Sequence, residues 1–185
     1  PMEKTQVLSP MKKGTTGTKE LNTALRNTMR NHNLAMLKKN HRVEELLGVI
    51  QVGRFLPGDK VIQVENNYGK EVFNGEIGYV VKTDSEERKV SILFDDRIID
   101  YEDFELDQVD FGYALTVHKF QGSEVPCVVM PITTQHYVML YRNLIYTAIT
   151  RASEKLVLVG SEKALAIAIK NNRQVMRFSG LGGYL

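Results

Sequence analysis

A chain of 185 residues, 43% hydrophobic and 25% charged, has the material for a buried core and the surface of an ordinary globular protein. Its net charge of +2 excludes a global basic field, so any nucleic-acid surface has to be local. The one cysteine, Cys127, excludes a disulfide framework or a Cys-rich zinc site, and no apolar run approaches the roughly 20 residues that span a bilayer. These features suit a reducing cytosol. The start, Pro1-Met-Glu-Lys-Thr5, lacks the apolar core of a signal peptide and reads as a cut through a longer protein.

In chain order, residues 6–11 read as a short apolar strand ending at Pro10, and Lys12 to Gly17 as a loop. Thr18 then caps a helix with Leu21, Leu25 and Met29 on one face and Glu20 in its first turn. A strand, Gly-rich loop and helix invite a phosphate-loop reading. That motif needs Gly-Lys-Ser/Thr at the helix start, and Gly17-Thr-Lys19 has the order wrong. The loop therefore reads first as an ordinary α/β connection, with phosphate contacts from Lys12, Lys13 or the threonines as the alternative. Asn31-His-Asn33 reads as a turn and Leu34 to Leu37 as another short helix. Lys38-Lys-Asn-His-Arg42 is a basic cluster, by default a solvated face.

From Phe55 the pattern changes. Residues 58–65 alternate as a strand, Asn66 to Gly69 form a turn cluster, and Asn74-Gly75 signals a tight turn. Ile77 to Lys82 and Lys89 to Phe94 read as strands, the latter with Val90, Ile92 and Phe94 on one face. Asp95-Asp96 turns into Arg97 to Tyr101. Short strands with tight turns and no helical period predict a small β-barrel over residues 57–109, closed by the acidic run from Glu102 to Asp110. The surrounding α/β segments, 1–56 and 110–185, make it an insert. Val125 to Ile132, apolar on both faces, reads as a fully buried parallel strand. Tyr137 to Ala152 reads as a helix, Lys155 to Gly160 as another buried strand, and Ser161 as the cap of a helix running to Asn171. Gly180 to Gly183 reads as a loose tail. The fold class expected is α/β with a parallel sheet.

Two strings carry chemistry. In Thr116-Val-His-Lys-Phe-Gln-Gly-Ser-Glu124, Thr116 and His118 are two apart, so an extended backbone points them the same way. A hydroxyl and an imidazole on one edge suit the phosphate or base of a single strand. Gly122 lets backbone approach a ligand, and Glu124 can accept hydrogen bonds from ribose hydroxyls. A capped turn with a satisfied histidine competes for any one of these residues. In Arg142-Asn-Leu-Ile-Tyr-Thr-Ala-Ile-Thr-Arg151, helical spacing pairs Tyr146 with Thr150 and Thr147 with Arg151. The Arg151 guanidinium suits a terminal phosphate, and an arginine finger contributes about 10³ to 10⁵ in phosphoryl-transfer rate. A lone arginine is more often a surface ion-pair partner, and Arg142 reads as structural.

Thr116 to Glu124 resembles motif V, and Leu144 to Ala152 motif VI, of RecD-type superfamily 1 DNA helicases, the family of the exodeoxyribonuclease V alpha subunit. Val7 to Gly14 is similar to the motif IV region. Gly58-Asp-Lys-Val61, Asn66-Asn-Tyr68 and Val72 to Gly78 resemble the SH3-like insert. Phe120 stands where Ser is usual, and Val125 where an aromatic often follows Glu. The resemblance implies a RecA-like second motor domain, 2A, carrying an inserted 2B barrel, in a 5′-to-3′ helicase. It implies DNA contacts from Thr116, His118, Lys119 and Asn74, and nucleotide contacts from Gln121, Gly122, Glu124 and Arg151, the last as the catalytic finger. It implies no metal ligand on this chain. ATP and Mg²⁺ belong to a site shared with an N-terminal motor domain, since the chain carries no Gly-Lys-Ser/Thr loop. Partners would be single-stranded DNA and, in some relatives, nuclease-complex subunits; no membrane is implied, and the setting is a bacterial cytosol. A non-catalytic binding module on this scaffold, and a Pif1- or relaxase-type relative, remain alternatives.

Overall fold

Two sheets divide the strands, and one long helix bridges them. The computed structural model describes residues 4–39 and 52–172. In chain order the elements are β1 (Thr5–Ser9), α1 (Thr18–Lys39), β2 (Lys60–Gln63), β3 (Ile77–Asp84), β4 (Lys89–Phe94), β5 (Arg97–Glu102) and β6 (Val109–Phe111). β7 (Ala114–Thr116), β8 (Val125–Ile132), α2 (Arg142–Ile149), β9 (Ala152–Gly160) and α3 (Glu162–Lys170) follow. Single 3₁₀ turns cover Asp103–Gln108 and Thr134–Met139.

The parallel sheet has the order β7-β1-β8-β9 and the antiparallel sheet the order β5-β4-β3-β2-β6. Alternate residues of the parallel strands build its core. Leu8 of β1 and Val128, Met130 and Ile132 of β8 meet Leu144, Ile145 and Ala148 of α2 and Ala164 and Ala168 of α3. Burying each large aliphatic side chain here contributes about 1.5–3 kcal/mol. The antiparallel sheet wraps a second core around Phe55, Val61, Val80, Val90, Ile92, Phe94, Tyr101 and Val109. Its alternating strands and turns follow the sequence reading closely: Gly75 takes φ +101°, as the Asn-Gly turn requires. The sheet reaches beyond residues 57–109, because β6 pairs with β2 as far as Phe111 and Val52 and Phe55 lie in its core.

Four expectations change. The helix α1 runs unbroken through Asn31-His-Asn33, because Asn33 is buried and its amide donates to the Gly58 carbonyl at 3.1 Å. A tertiary hydrogen bond satisfies the polar group that local propensity assigns to a turn. Farther along, Leu37 packs on Val81 and Leu93 of the antiparallel sheet. Of the basic cluster, Lys38 and Lys39 end α1, while residues 40–42 and the tail at 180–183 lie outside the described residues.

The helix expected from Tyr137 to Ala152 breaks. A 3₁₀ turn ends at Met139, Leu140 and Tyr141 are non-helical, and Ala152 already belongs to β9. Asn171, past the end of α3, holds the break open: its amide donates to the Leu140 carbonyl at 2.9 Å, and its carbonyl accepts from Arg142 N–H at 2.9 Å. The two strands expected to be fully buried are not. One face of β8 leaves Cys127 and Val129 half-buried, and β9 is an edge strand with no fully buried residue among those described. The Ser161 cap forms as expected, accepting from Ala164 N–H.

The sheets are joined by buried polar ties. Arg26 of α1 grips Asp59 with two hydrogen bonds, Nε to Oδ1 at 2.8 Å and Nη2 to Oδ2 at 2.7 Å. Asp59 has no exposed surface, and it also accepts from Leu56 N–H and the Tyr113 hydroxyl. Removing one partner of such a buried pair leaves an uncompensated charge. Arg26→Ala is therefore expected to cost about 3–5 kcal/mol, read as a shifted urea midpoint. A change below about 1 kcal/mol would show that the pair is not what fastens the sheets.

Candidate functional site

The two edges of the parallel sheet lie far apart, and one string connects them. The register pairs Thr116 with Ser9, at the carboxyl end of β1, and Cys127 with Thr5, at its amino end. Four residue steps at a strand rise of about 3.3 Å separate these levels by roughly 13 Å. Residues 117–124 carry the chain back across that depth and two residues further, to Val125 at the start of β8.

At the carboxyl edge, Thr116 ends β7, and His118 lies in a turn rather than in extended backbone. The shared direction expected from two-residue spacing therefore does not apply. Thr116 Oγ1 instead accepts from Lys119 N–H at 3.2 Å, and the Thr116 carbonyl accepts from Phe120 N–H at 3.2 Å. His118 is exposed, with its Nε2 3.5 Å from the Tyr141 hydroxyl. Lys119 is exposed too, and its ammonium is pushed below the usual lysine range, first by desolvation and then by Lys12 against the opposing pull of Asp110. Phe120 is 5% exposed and anchors the turn in the parallel-sheet core. A side chain in that position makes no polar contact, so the departure from the family's Ser is a packing change.

At the amino edge, Gln121, Gly122 and Glu124 are exposed. Gly122 has φ +89° with open space where a Cβ would stand, so it is backbone conformation and not crowding that calls for glycine there. Arg151 lies just past the C-cap of α2, not within it. Its Nη1 donates to the Ser123 carbonyl at 3.1 Å and its Nη2 to Thr150 Oγ1 at 3.2 Å, while Nε is buried without a partner. The Arg151 carbonyl accepts from Val125 N–H, closing the two strings on each other. Arg142 donates to the Ile169 carbonyl and holds α2 to α3, the structural role its sequence suggested.

Asn74 comes from the other sheet, yet lines the same 790 Å³ cavity as Glu124, with Thr5, Gln6, Glu76 and Ser123 also on its walls. That cavity contains a residue the sequence reading passed over. Lys60 is 6% exposed, and its Nζ donates to Gln6 Oε1 at 3.0 Å and to the Thr5 carbonyl at 3.3 Å. Burial pushes its ammonium down to about 8. Gln6 in turn donates to the Gly112 and Tyr113 carbonyls. The one local signal was an Asp-Lys pair where an apolar strand begins. His136 was passed over as well: it is 2% exposed, with Nε2 2.7 Å from Thr16 Oγ1, and burial pushes its imidazole down.

Residues 111–159 match the family described as the UvrD-like helicase C-terminal domain, and residues 21–94 the ATP-dependent RecD-like DNA helicase SH3 domain. The ATP-dependent RecD2 DNA helicase of Deinococcus radiodurans is 38% identical over 91% of this chain and 22% of its own length. The chain belongs to the RecD-like superfamily 1 helicase family. The RecBCD enzyme subunit RecD of Mycobacterium tuberculosis is 36% identical over 67% of this chain and 21% of its own length. The chain thus spans about a fifth of these relatives. Among solved structures, a Pif1 helicase from a study of forked-DNA unwinding aligns with a TM-score of 0.54 at 13% identity, over 88% of this chain and 41% of that one. The Candida albicans Pif1 helicase aligns at 0.50 and 16% identity, over 87% and 46%. At such identities the likeness is one of fold. The SH3 match begins inside α1, and the helix's Arg26 and Asn33 hold the antiparallel sheet in place.

Because folding weakens proton binding at Lys60, its cost is fully present below about pH 8 and is lost as pH rises toward the ordinary value of 10.5. The stability of wild type relative to Lys60→Met is therefore expected to rise across that window, by on the order of 1 kcal/mol per pH unit. Urea melts of both proteins from pH 7 to 10 check this; parallel curves would remove the buried-ammonium account.

Proposed function

We propose that this chain is the 2A motor domain, with its 2B barrel, of an ATP-dependent 5′-to-3′ DNA helicase of the RecD type. On this reading residues 1–56 and 110–185 form the motor domain and residues 57–109 the insert, with Val52, Phe55 and residues 110–111 joining the barrel's core and sheet at the boundary. The observation that carries it is the string from Thr116 to Glu124, which runs from one edge of the parallel sheet to the other and meets Arg151 at its far end. A motor that couples nucleotide to DNA needs such a link.

Thr116, His118 and Lys119 face single-stranded DNA at the carboxyl edge, while Asn74, the barrel's DNA contact in this reading, stands on the cavity wall with Glu124. Gln121, Gly122 and Glu124 face nucleotide at the other. ATP with Mg²⁺ supplies the phosphoryl chemistry in the whole protein. The fit on this side is the Arg151 guanidinium, whose buried Nε has no partner and whose planar fork suits a terminal phosphate. Glu124 accepts from ribose hydroxyls in this reading, which its exposure on the cavity wall supports. On this reading the Mg²⁺ ligands come from the N-terminal motor domain. The parent works in the bacterial cytosol, alone or with nuclease-complex subunits. Identity of 38% to RecD2 over most of the chain supports the RecD type over the Pif1 type, which shares only the fold.

The parent protein carrying Arg151→Ala is expected to bind single-stranded DNA as before while its ATP turnover falls about 10³- to 10⁵-fold. Steady-state ATPase and oligonucleotide titration measure the two separately, and unchanged turnover would end the finger assignment. The 185-residue chain alone is expected to show no ATPase and weak, salt-sensitive single-strand binding. Arg151-dependent turnover by that chain would overturn the split-site reading.

A further inference from the structure

We propose that Tyr137 is a base-stacking residue, its exposed ring taking a nucleobase of a single strand at the carboxyl edge of the parallel sheet, beside Lys12, His118 and Lys119. This rests on the single-strand reading above and adds a contact residue to that surface. The 3₁₀ turn over Thr134–Met139 follows β8 directly, so it sits at the same edge as the end of β7. Within it the side chains are sharply sorted. His136 is 2% exposed and Leu140, just after, is fully buried, whereas Tyr137 is 66% exposed and Val138 82%.

The inward residues fix the outward ones. His136 is bolted to Thr16, Leu140 belongs to the parallel-sheet core, and Leu140 N–H donates to the Tyr137 carbonyl at 3.2 Å. An aromatic ring on such a turn loses little conformational freedom when it stacks. Thr16 closes the loop that presents Lys12 and Lys13, and that loop is itself knit: Ser9 Oγ donates to the Thr16 carbonyl at 2.7 Å, and Gly17 N–H to the Gly14 carbonyl at 2.8 Å. The hydrogen bond between Thr16 and His136 therefore ties the turn that carries Tyr137 to the loop that carries Lys12 and Lys13. At Lys119, Lys12 acts as a like charge and Asp110 as the acidic group that opposes it. From the other side Tyr141, four residues on, reaches His118.

A fixed aromatic face beside exposed cations is the combination that holds unpaired bases and their phosphates together. The barrel's exposed rings are set among carboxylates: Phe104 lies beside Glu87, Glu102 and Asp103, the last ion-paired with Arg88. Tyr68 and Phe73 lie edge-on to each other with centroids 6.1 Å apart, in a stretch carrying Glu65, Glu71 and Glu76, and the lysine there, Lys70, is ion-paired with Glu105.

The test is fluorescence anisotropy of the 185-residue chain with a labelled oligothymidylate and with an abasic backbone of equal length. Tyr137→Ala is expected to weaken binding to oligothymidylate roughly 5- to 150-fold, while Tyr137→Phe stays close to wild type. On the abasic backbone wild type and Tyr137→Ala are expected to bind alike, whereas Lys12→Ala weakens binding to both ligands. An unchanged affinity of Tyr137→Ala for oligothymidylate would overturn the proposal, as would an equal loss on the abasic backbone. A wild-type chain that binds neither ligand would instead end the single-strand reading, and this proposal with it. The side chain is largely exposed, so thermal melts of the variants are expected to overlay wild type.

Discussion

The buried carboxylate of Asp59 is the constraint on which the arrangement of the two sheets depends. An ionised carboxylate with no exposed surface is unfavourable unless its lone pairs are filled. Here the two-pronged Arg26 guanidinium, the Leu56 N–H and the Tyr113 hydroxyl fill them. Those partners come from α1, from the turn that starts β2, and from the connection between β6 and β7. Satisfying one charge therefore fixes three places where the chain passes between the sheets. Arg26 adds a cation–π contact, 4.6 Å from the centroid of Phe111.

With that point fixed, the antiparallel sheet is not a bead on a linker. Ile62 of β2 belongs to the parallel-sheet core, while its neighbour Val61 belongs to the barrel core, so one strand of alternating faces serves both. Lys60, next in the strand, reaches Gln6 of β1, and Asn22 of α1 pairs with Ala114 by both donor and acceptor, covering the free edge of β7. The cavity between the sheets is a consequence: its walls are set by ties that lie behind it, not by a flexible hinge. Glu124 and Asn74 can share it only because those ties hold.

Much of this was legible in the sequence where the information is local. The barrel strands follow from alternation and from turn residues such as Asn74-Gly75, and the Ser161 cap from a serine before an apolar period. What failed did so where a distant group supplied the missing hydrogen bond. Asn33 reads as a turn residue until Gly58, 25 positions away, takes its amide. Leu140 reads as mid-helix until Asn171 binds its carbonyl. Lys60 draws no notice within its strand, because its hydrogen-bond partner Gln6 lies 54 positions upstream. The site strings were legible as motifs, but not their geometry: Thr116 acts as the cap of a turn, which two-residue spacing in an extended strand does not reveal.

That turn also bears on how the edges communicate. Thr116 and Val125, which residues 117–124 join, stand about six residue steps or roughly 20 Å apart in depth, and the nine steps between them could span about 30 Å if extended, so the string has contour to spare. Hydrogen bonds take up that slack. Lys119 and Phe120 donate back to Thr116, Gln121 to His118, and Ser123 to Phe120, with the buried Phe120 ring pinning the middle. A string so wound behaves as a short strut. Displacing Ser123, the residue Arg151 holds, works against the Phe120 anchor before it can be absorbed as loop motion. A serine at position 120 could make the same backbone hydrogen bonds but would bring less apolar surface to the core, so it is the Phe120 ring that ties the middle of the string to the parallel-sheet core.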